Sequence, residues 1–131
     1  MLRYMLDTNT CIYVINDRPE ELRRTFNDNS GALSISSITL TELLYGAEKS
    51  ARTEQNLSVV ENFVARLTVL PFADKAAAHT AQIRADLERK GTPIGSYDLM
   101  IAGHARSEGL VLVSANRREF DRVAGLRVES W

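Results

Sequence analysis

The chain has 131 residues, of which 44 % are hydrophobic and 25 % charged; these proportions exclude disordered, collagen-like and low-complexity proteins. Its 16 basic and 17 acidic residues nearly cancel, so an affinity for nucleic acid would have to come from local arginines or a bound metal. One cysteine, Cys11, excludes an internal disulfide. No apolar run is long enough to span a membrane, and we expect a cytoplasmic protein without membrane contact.

Short apolar runs predict five β-strands, which alternate with helical patterns. The strands are expected at residues 2–6, 32–36, 67–70, 110–113 and 126–128. Apolar residues at helical spacing predict helices around residues 40–47, 57–67, 76–87 and 99–105. Asp74 is expected to be the N-cap of the third of these helices. Strands that alternate with helices need crossover connections, which predicts an α/β fold with a parallel sheet between helices. We find no linker or composition shift, so residues 1–131 are expected to form one domain.

Acidic residues fall where ligands bind in such sheets, beyond the carboxyl ends of the strands. Asp7 directly follows the first strand, and Glu42 lies early in the helix after the second strand. Asp98 opens the helix that leads into the fourth strand, and Glu119 follows that strand. Because the carboxyl ends of parallel strands meet at one edge of the sheet, we expect these four side chains to converge there.

Each acid also has a purely structural explanation. Asp7 and Asp98 suit the N-termini of helices, where negative charge is favourable. Thr39-x-x-Glu42 fits the capping-box pattern, as does the spacing around Glu119. Against this explanation, neither Glu42 nor Asp98 has a Lys or Arg one helical turn away. Carboxylates that converge without cations repel one another, and a hard divalent cation such as Mg²⁺ or Mn²⁺ removes that conflict. Such sites perform phosphoryl transfer, in which the ion binds a phosphodiester and activates water.

Four segments resemble, in register, the acidic motifs of the PIN-domain ribonucleases, and among them the VapC toxins of bacterial toxin–antitoxin pairs. They are MLRYMLDTN (1–9), TELLYGAEKS (41–50), DLMIAGHAR (98–106) and SANRREF (114–120). The similarity runs from residue 1 to residue 131, which implies a single PIN domain. The family fold is a three-layer α/β/α sandwich with a five-stranded parallel sheet in the order 3-2-1-4-5. In that order the topological switch point, where the strand order reverses, lies beside the first strand, at whose end Asp7 lies.

The resemblance also assigns roles to residues of the four motifs. Asp7, Glu42 and Asp98 match the metal-binding carboxylates, and the implied cofactor is Mg²⁺ or Mn²⁺. Glu119 matches a fourth acidic position, where Asp is common. Other polar residues are candidates for orienting an acid or the substrate phosphate: Thr8, Ser114, Asn116 and Arg117.

The activity implied by the resemblance is that of a metal-dependent endoribonuclease toxin, which cleaves RNA phosphodiesters and so inhibits translation. The likeness is strongest to toxins that cut initiator tRNA in the anticodon loop. A VapB-like antitoxin is the implied partner, with its C-terminal segment across the acidic groove and with operator DNA bound only through that antitoxin. A homodimer is also implied.

The alternative from another functional class is a catalytically silent PIN-like binding module. A haloacid-dehalogenase-type phosphatase would need Asp where Asn9 stands, and a receiver domain would need an acidic pair after the first strand. Cys11, His79 and His104 lack the spacing of zinc ligands. Arg106 is expected near the mouth of the acidic site, where it is a candidate for holding an RNA phosphate.

Overall fold

Five short strands form one parallel sheet, as the sequence analysis predicts. They are β1 (Tyr4–Leu6), β2 (Leu33–Ser36), β3 (Thr68–Leu70), β4 (Val111–Val113) and β5 (Val128–Glu129). In the computed structural model, which describes residues 1–131, their order is β3-β2-β1-β4-β5 and every neighbouring pair is parallel. The predicted strand order is confirmed, and the order reverses at β1, directly before Asp7.

Seven helices connect the strands. They are α1 (Thr8–Ile15), α2 (Glu20–Asp28), α3 (Ser37–Glu48), α4 (Thr53–Val64), α5 (Asp74–Arg89), α6 (Ser96–Ser107) and α7 (Arg117–Phe120). The four helices predicted from apolar spacing correspond to α3, α4, α5 and α6. The apolar spacing does not predict α2, because its sequence is mostly polar and only Leu22 and Phe26 are buried. None of the helices is both long and apolar enough to cross a membrane.

The helices cover both faces of the sheet, which confirms the three-layer α/β/α arrangement. Successive side chains of β1 point to opposite faces. Leu6 belongs to a core cluster that includes residues of α1, α2, α3 and α4, whereas Met5 belongs to a second cluster with residues of α5 and α6. Both side chains are fully buried. The central strand is therefore enclosed on both faces, and this enclosure fixes the position of Asp7 at its end.

The starts of two helices differ from the sequence analysis. Asp74 is not the N-cap of α5, because the preceding residue holds that position and Asp74 lies within the first turn. Helix α3 is capped by Ser36, whose Oγ accepts a backbone N–H of the first turn at 3.1 Å. The helix begins directly after β2, so its cap comes three residues before Thr39. Thr39 and Glu42 therefore do not form a capping box and are free for other contacts.

Helix α6, which carries Asp98 in its first turn, is fixed on two sides. At Gly103 it packs so closely on α5 that an added Cβ atom would lie 2.8 Å from the Cα of Thr80. The next residue, His104, is fully buried, and its Nδ1 lies 2.7 Å from the Oγ of Ser36 at the end of β2. These contacts hold α6 against α5 and the sheet, and so set the position of Asp98.

Candidate active site

Asp7 is held at the carboxyl end of β1 by two hydrogen bonds. Its Oδ1 accepts the backbone N–H of Thr10 at 2.8 Å, which makes Asp7 the N-cap of α1. Its Oδ2 accepts the hydroxyl of Ser114 at 2.6 Å, and the residue is only 3 % exposed. A carboxylate has about four lone-pair positions, so these two bonds leave others for a ligand. The capping role predicted for Asp7 is confirmed, and it does not exclude metal binding.

Glu42 is oriented by a hydroxyl group of α1. Thr8 Oγ1 donates to Glu42 Oε1 at 2.6 Å. The Thr8 hydroxyl also lies 3.3 Å from that of Thr39, which is fully buried in α3 one turn before Glu42. The sequence analysis names Thr8 as an orienting residue but considers Thr39 only as half of an alternative capping box. The three-residue spacing between Thr39 and Glu42 fits either role.

Asp98 has the most strongly perturbed carboxyl group of the site. It is half-buried in the first turn of α6. Its pKa is raised from 3.8 to about 6, first by burial and then by the negative charges of Asp7, Glu119 and Glu42. Three carboxylates from three other parts of the fold are thus close enough to act on the Asp98 charge. The structure therefore brings together all four acids that the sequence analysis names.

Glu119 is linked to Asp7 through the loop after β4. Asn116 Nδ2 donates to Glu119 Oε2 at 3.1 Å, and the Asn116 backbone N–H donates to Ser114 Oγ at 2.9 Å. The Ser114 hydroxyl itself donates to Asp7. Asn116 is the N-cap residue of α7, but its side-chain oxygen makes no capping bond. One chain of hydrogen bonds therefore connects the first and fourth acids.

No basic side chain neutralises these four acids. The ion pairs of the structure involve other residues, and no Lys, Arg or His nitrogen lies within 4.0 Å of the four carboxylates. No three His, Cys, Asp or Glu side chains are close enough to enclose an ion in their present positions. The donor chemistry nevertheless fits a hard divalent cation, which prefers carboxylate oxygens and supplies the missing counter-charge.

Two arginines considered in the sequence analysis have partners elsewhere. Arg106 lies in the last turn of α6, at the end opposite the acid, and donates to His79 Nδ1 and the Ala124 carbonyl, both at 2.9 Å. The expectation that Arg106 lies at the mouth of the site is wrong, because its side chain joins α6 to α5 and to the loop before β5. Arg117 is exposed and pairs with Asp121 at 3.4 Å.

The buried thiol and imidazole groups do not offer a second reactive centre. Burial raises the pKa of the Cys11 thiol well above its usual value, and the charge of Asp7 raises it further. This thiol therefore stays protonated and is a poor nucleophile. Burial also lowers the pKa of His104, an effect that the Glu108 charge opposes. The carboxylates are thus the chemically available groups at this edge of the sheet.

Residues 4–126 match the family model of the PIN domain. The chain is also 60 % identical to the tRNA(fMet)-specific endonuclease VapC of Salmonella typhimurium over 131 residues, which cover 100 % of this chain and 99 % of the relative. The chain belongs to the VapC group of the PIN domain family. Another member of this VapC group, the tRNA(fMet)-specific endonuclease VapC of Shigella flexneri, is 57 % identical over the same coverage.

Solved VapC-containing structures have the same fold. The DNA-bound VapBC of Salmonella typhimurium superposes with a TM-score of 0.96 at 60 % identity, covering 100 % of this chain and 99 % of that chain. VapBC2 of Rickettsia felis, bound to a DNA fragment from its promoter, gives a TM-score of 0.93 at 40 % identity and covers 99 % of both chains. The predicted resemblance to VapC and the predicted fold are therefore confirmed.

Proposed function

We propose that this VapC-type chain is a divalent-metal-dependent endoribonuclease toxin whose substrate is tRNA. The observation that carries the proposal is the convergence of four carboxylates without a basic partner. Its largest effect is on Asp98, whose pKa is raised to about 6. A site of this kind has a strong preference for bound positive charge. The binding of a metal ion and a phosphodiester satisfies that preference.

In the proposed mechanism, Asp7, Glu42 and Asp98 hold the ion, and Glu119 completes the acidic edge. Mg²⁺ or Mn²⁺, once bound, would acidify the attacking water and stabilise charge on the phosphodiester oxygens. Asp7 arrives preorganised, because two hydrogen bonds fix both of its oxygens. Glu42 is oriented in a similar way by the Thr8 hydroxyl.

The loop after β4 supplies the remaining polar groups in this proposal. Ser114 holds Asp7, and Asn116 holds Glu119, so both act by positioning acids. Arg117 follows Asn116, is exposed, and pairs only with Asp121 on its own helical surface. An exposed ion pair is worth little, so the guanidinium of Arg117 remains available to a substrate phosphate.

The substrate and partner follow from the relatives. Two relatives at 60 % and 57 % identity are named tRNA(fMet)-specific endonucleases, which makes initiator tRNA the first substrate to test, with its single-stranded anticodon loop as the accessible target. Related chains occur in VapBC complexes, some of them bound to DNA. We therefore include a VapB-like antitoxin as the inhibitor, operator DNA bound through that antitoxin, and a homodimeric toxin.

The test is cleavage of purified initiator tRNA and of total tRNA by antitoxin-free protein. Wild type, Asp7→Asn and a matched control, Asp74→Asn, are each assayed with Mg²⁺, Mn²⁺ or EDTA. Asp74 is an exposed first-turn acid far from the site in sequence. We expect a discrete fragment that requires the ion, and a loss of at least about 100-fold in Asp7→Asn only.

The Asp7→Asn variant should keep its fold, because an Asn side chain can still accept the Thr10 N–H as an N-cap. Circular dichroism and antitoxin binding check this. Metal-independent cleavage would contradict the proposed chemistry. A folded, metal-loaded wild type that binds antitoxin but cuts no RNA would instead support the catalytically silent binding module.

A further inference from the structure

Ser114, which holds Asp7, uses all of its own polar groups in hydrogen bonds. Its hydroxyl donates to Asp7 Oδ2 at 2.6 Å and accepts the Asn116 backbone N–H at 2.9 Å. Its backbone N–H donates to the Glu129 carbonyl at 2.9 Å, and its carbonyl accepts the Ser130 hydroxyl at 2.8 Å. Ser114 is fully buried, so its polar groups depend on these protein partners. Two of them lie at the end of β5 and directly after it.

The hydroxyl of Ser130 strengthens a short pairing at the edge of the sheet. Strand β5 has only two residues, lies at the edge, and pairs with β4 alone. Its main chain gives Ser114 one hydrogen bond, through the Glu129 carbonyl. The Ser130 side chain gives the next one. Without that hydroxyl, a single backbone bond would connect Ser114 to β5.

Trp131 anchors the segment that carries Ser130. Its ring makes an edge-to-face contact with the ring of Tyr4, with the centroids 5.1 Å apart, and packs against the core cluster on that face of the sheet. Tyr4 belongs to β1, which lies two strands away from β5. The segment therefore reaches past β4 to the strand that leads into Asp7. Because this anchor already orders the chain, the exposed Ser130 loses little further conformational entropy when it bonds the Ser114 carbonyl.

We propose that Ser130 is a positioning residue of the acidic site and that it acts on Asp7 through Ser114. Trp131 holds the segment, Ser130 holds the Ser114 main chain, and the Ser114 hydroxyl fixes the orientation of the Asp7 carboxylate. This inference rests on the proposed function, because Asp7 is one of the proposed metal ligands. It assigns to residues outside the four acidic motifs a part in the affinity for the ion.

The bond between Ser114 and Asp7 is short and charge-assisted, and such bonds depend steeply on distance and angle. Removing a group that orients a metal ligand typically lowers metal affinity or activity by about 10- to 100-fold. Ser114 is a group of this kind. Ser130 acts one step further away, so we expect its loss to weaken metal binding by a smaller factor, about fivefold. If Ser130 only stabilises the sheet edge, its loss lowers the free energy of unfolding and leaves the ion affinity unchanged.

The test is Mn²⁺ binding to the antitoxin-free protein, measured by isothermal titration calorimetry. Wild type is compared with Ser130→Ala, Ser130→Thr and a matched control, Ser107→Ala. The Ser107 hydroxyl also donates to a main-chain carbonyl, that of His104 at 2.7 Å, but it lies at the end of α6 opposite to Asp98. We expect Ser130→Ala to bind Mn²⁺ about fivefold more weakly than wild type. Ser130→Thr keeps the hydroxyl and should match wild type, as should the control.

A double-mutant cycle tests whether Ser130 acts through Ser114. Ser114→Ala removes the hydroxyl that reaches Asp7 but keeps the carbonyl that Ser130 binds. If the effect of Ser130 passes through that hydroxyl, adding Ser130→Ala to Ser114→Ala should weaken Mn²⁺ binding no further. Trp131→Ala should weaken Mn²⁺ binding about as much as Ser130→Ala, because the segment loses its anchor.

The outcomes separate this inference from the proposed function. An Mn²⁺ affinity of Ser130→Ala equal to that of wild type overturns the inference, and so does an additive loss in the double variant. Equal losses of Mn²⁺ affinity in Ser130→Ala and Ser107→Ala assign the effect to general stability and overturn it too. A wild type that binds no Mn²⁺ overturns the inference together with the proposed metal dependence. A wild type that binds Mn²⁺ but cuts no RNA contradicts only the proposed enzyme activity.

Discussion

The metal-free protein should become more stable when Asp98 loses its charge. In the folded state Asp98 is half-buried and faces three other carboxylates, and its pKa is raised from 3.8 to about 6. In the unfolded state the same group is solvated and distant from them. Asp98→Asn removes the negative charge and keeps a side chain of the same shape. This substitution, which removes one of the proposed metal ligands, is therefore expected to stabilise the chain in EDTA.

The size of the effect follows from the pKa difference between the folded and unfolded states. Each pKa unit corresponds to 1.36 kcal/mol, so the full shift sets an upper limit of about 3 kcal/mol. Asp98 is partly exposed, and solvent and salt screen its repulsion, which reduces the expected gain to about 1 kcal/mol at pH 7.5. The pKa of Asp98 is higher in the folded state than in the unfolded state, so its charge costs no stability below pH 3.8. The cost in stability grows as the pH rises from 3.8 through about 6. At pH 4 the gain should therefore nearly vanish.

The assay is urea unfolding in EDTA at pH 4 and pH 7.5, at one protein concentration. Asp74→Asn is the control, because Asp74 also lies in a first helical turn and its loss reports the helix-dipole contribution alone. We expect Asp98→Asn to exceed Asp74→Asn by about 1 kcal/mol at pH 7.5. Equal effects of the two variants at pH 7.5, or a gain that is larger at pH 4, would refute the claim that Asp98 is held against repulsion.

Three other predictions concern single contacts. Thr8→Val should lower the rate of tRNA cleavage about tenfold because Glu42 loses its hydrogen bond, whereas Thr8→Ser should keep the wild-type rate. Equal cleavage rates for Thr8→Val and Thr8→Ser would show that the hydroxyl is dispensable. Gly103→Ala should cost about 2 kcal/mol in urea unfolding through its clash with the α5 backbone, whereas Gly46→Ala, where nothing lies within 4 Å, should gain about 1 kcal/mol. Because burial lowers the pKa of His104, the free energy of unfolding should fall as the pH drops below 6.5. His104→Gln should reduce that fall, and the same loss of stability at low pH in this variant would contradict the assigned cause.

The architecture was predictable because the strands are short, apolar and regularly separated by helical patterns. The prediction of helix starts was weaker. Asp74 has the chemistry of an N-cap but lies one position inside α5, and a one-residue shift of this kind leaves no trace in apolar spacing. Helix α2 could not be predicted, because two buried residues, Leu22 and Phe26, make too small an apolar pattern to identify a helix.

The acids of the site were predictable from their positions at strand ends, but most of their hydrogen-bond partners were not. The contact between Thr8 and Glu42 joins residues 34 positions apart, so no local pattern indicates it. Thr39 was concealed by a spacing that also suits a capping box. The prediction for Arg106 is wrong because Arg106 lies in the last turn of α6, about two turns beyond Asp98, and so at the opposite end of the helix from the acids. Contacts between elements depend on how the helices pack, and packing is set by the whole core.

The hydrogen bond between Asp7 and Ser114 joins residues 107 positions apart in the chain. Strand β1 is made early in synthesis, but its neighbour β4 is translated only after nearly all the other elements. Asp7 therefore obtains its second hydrogen-bond donor, Ser114, equally late. A ribosome that has made the first three acidic motifs still carries a chain without a complete site. The arrangement of acids is thus complete only in a chain translated beyond Glu119, because a shorter chain lacks both the Ser114 donor and the fourth acid.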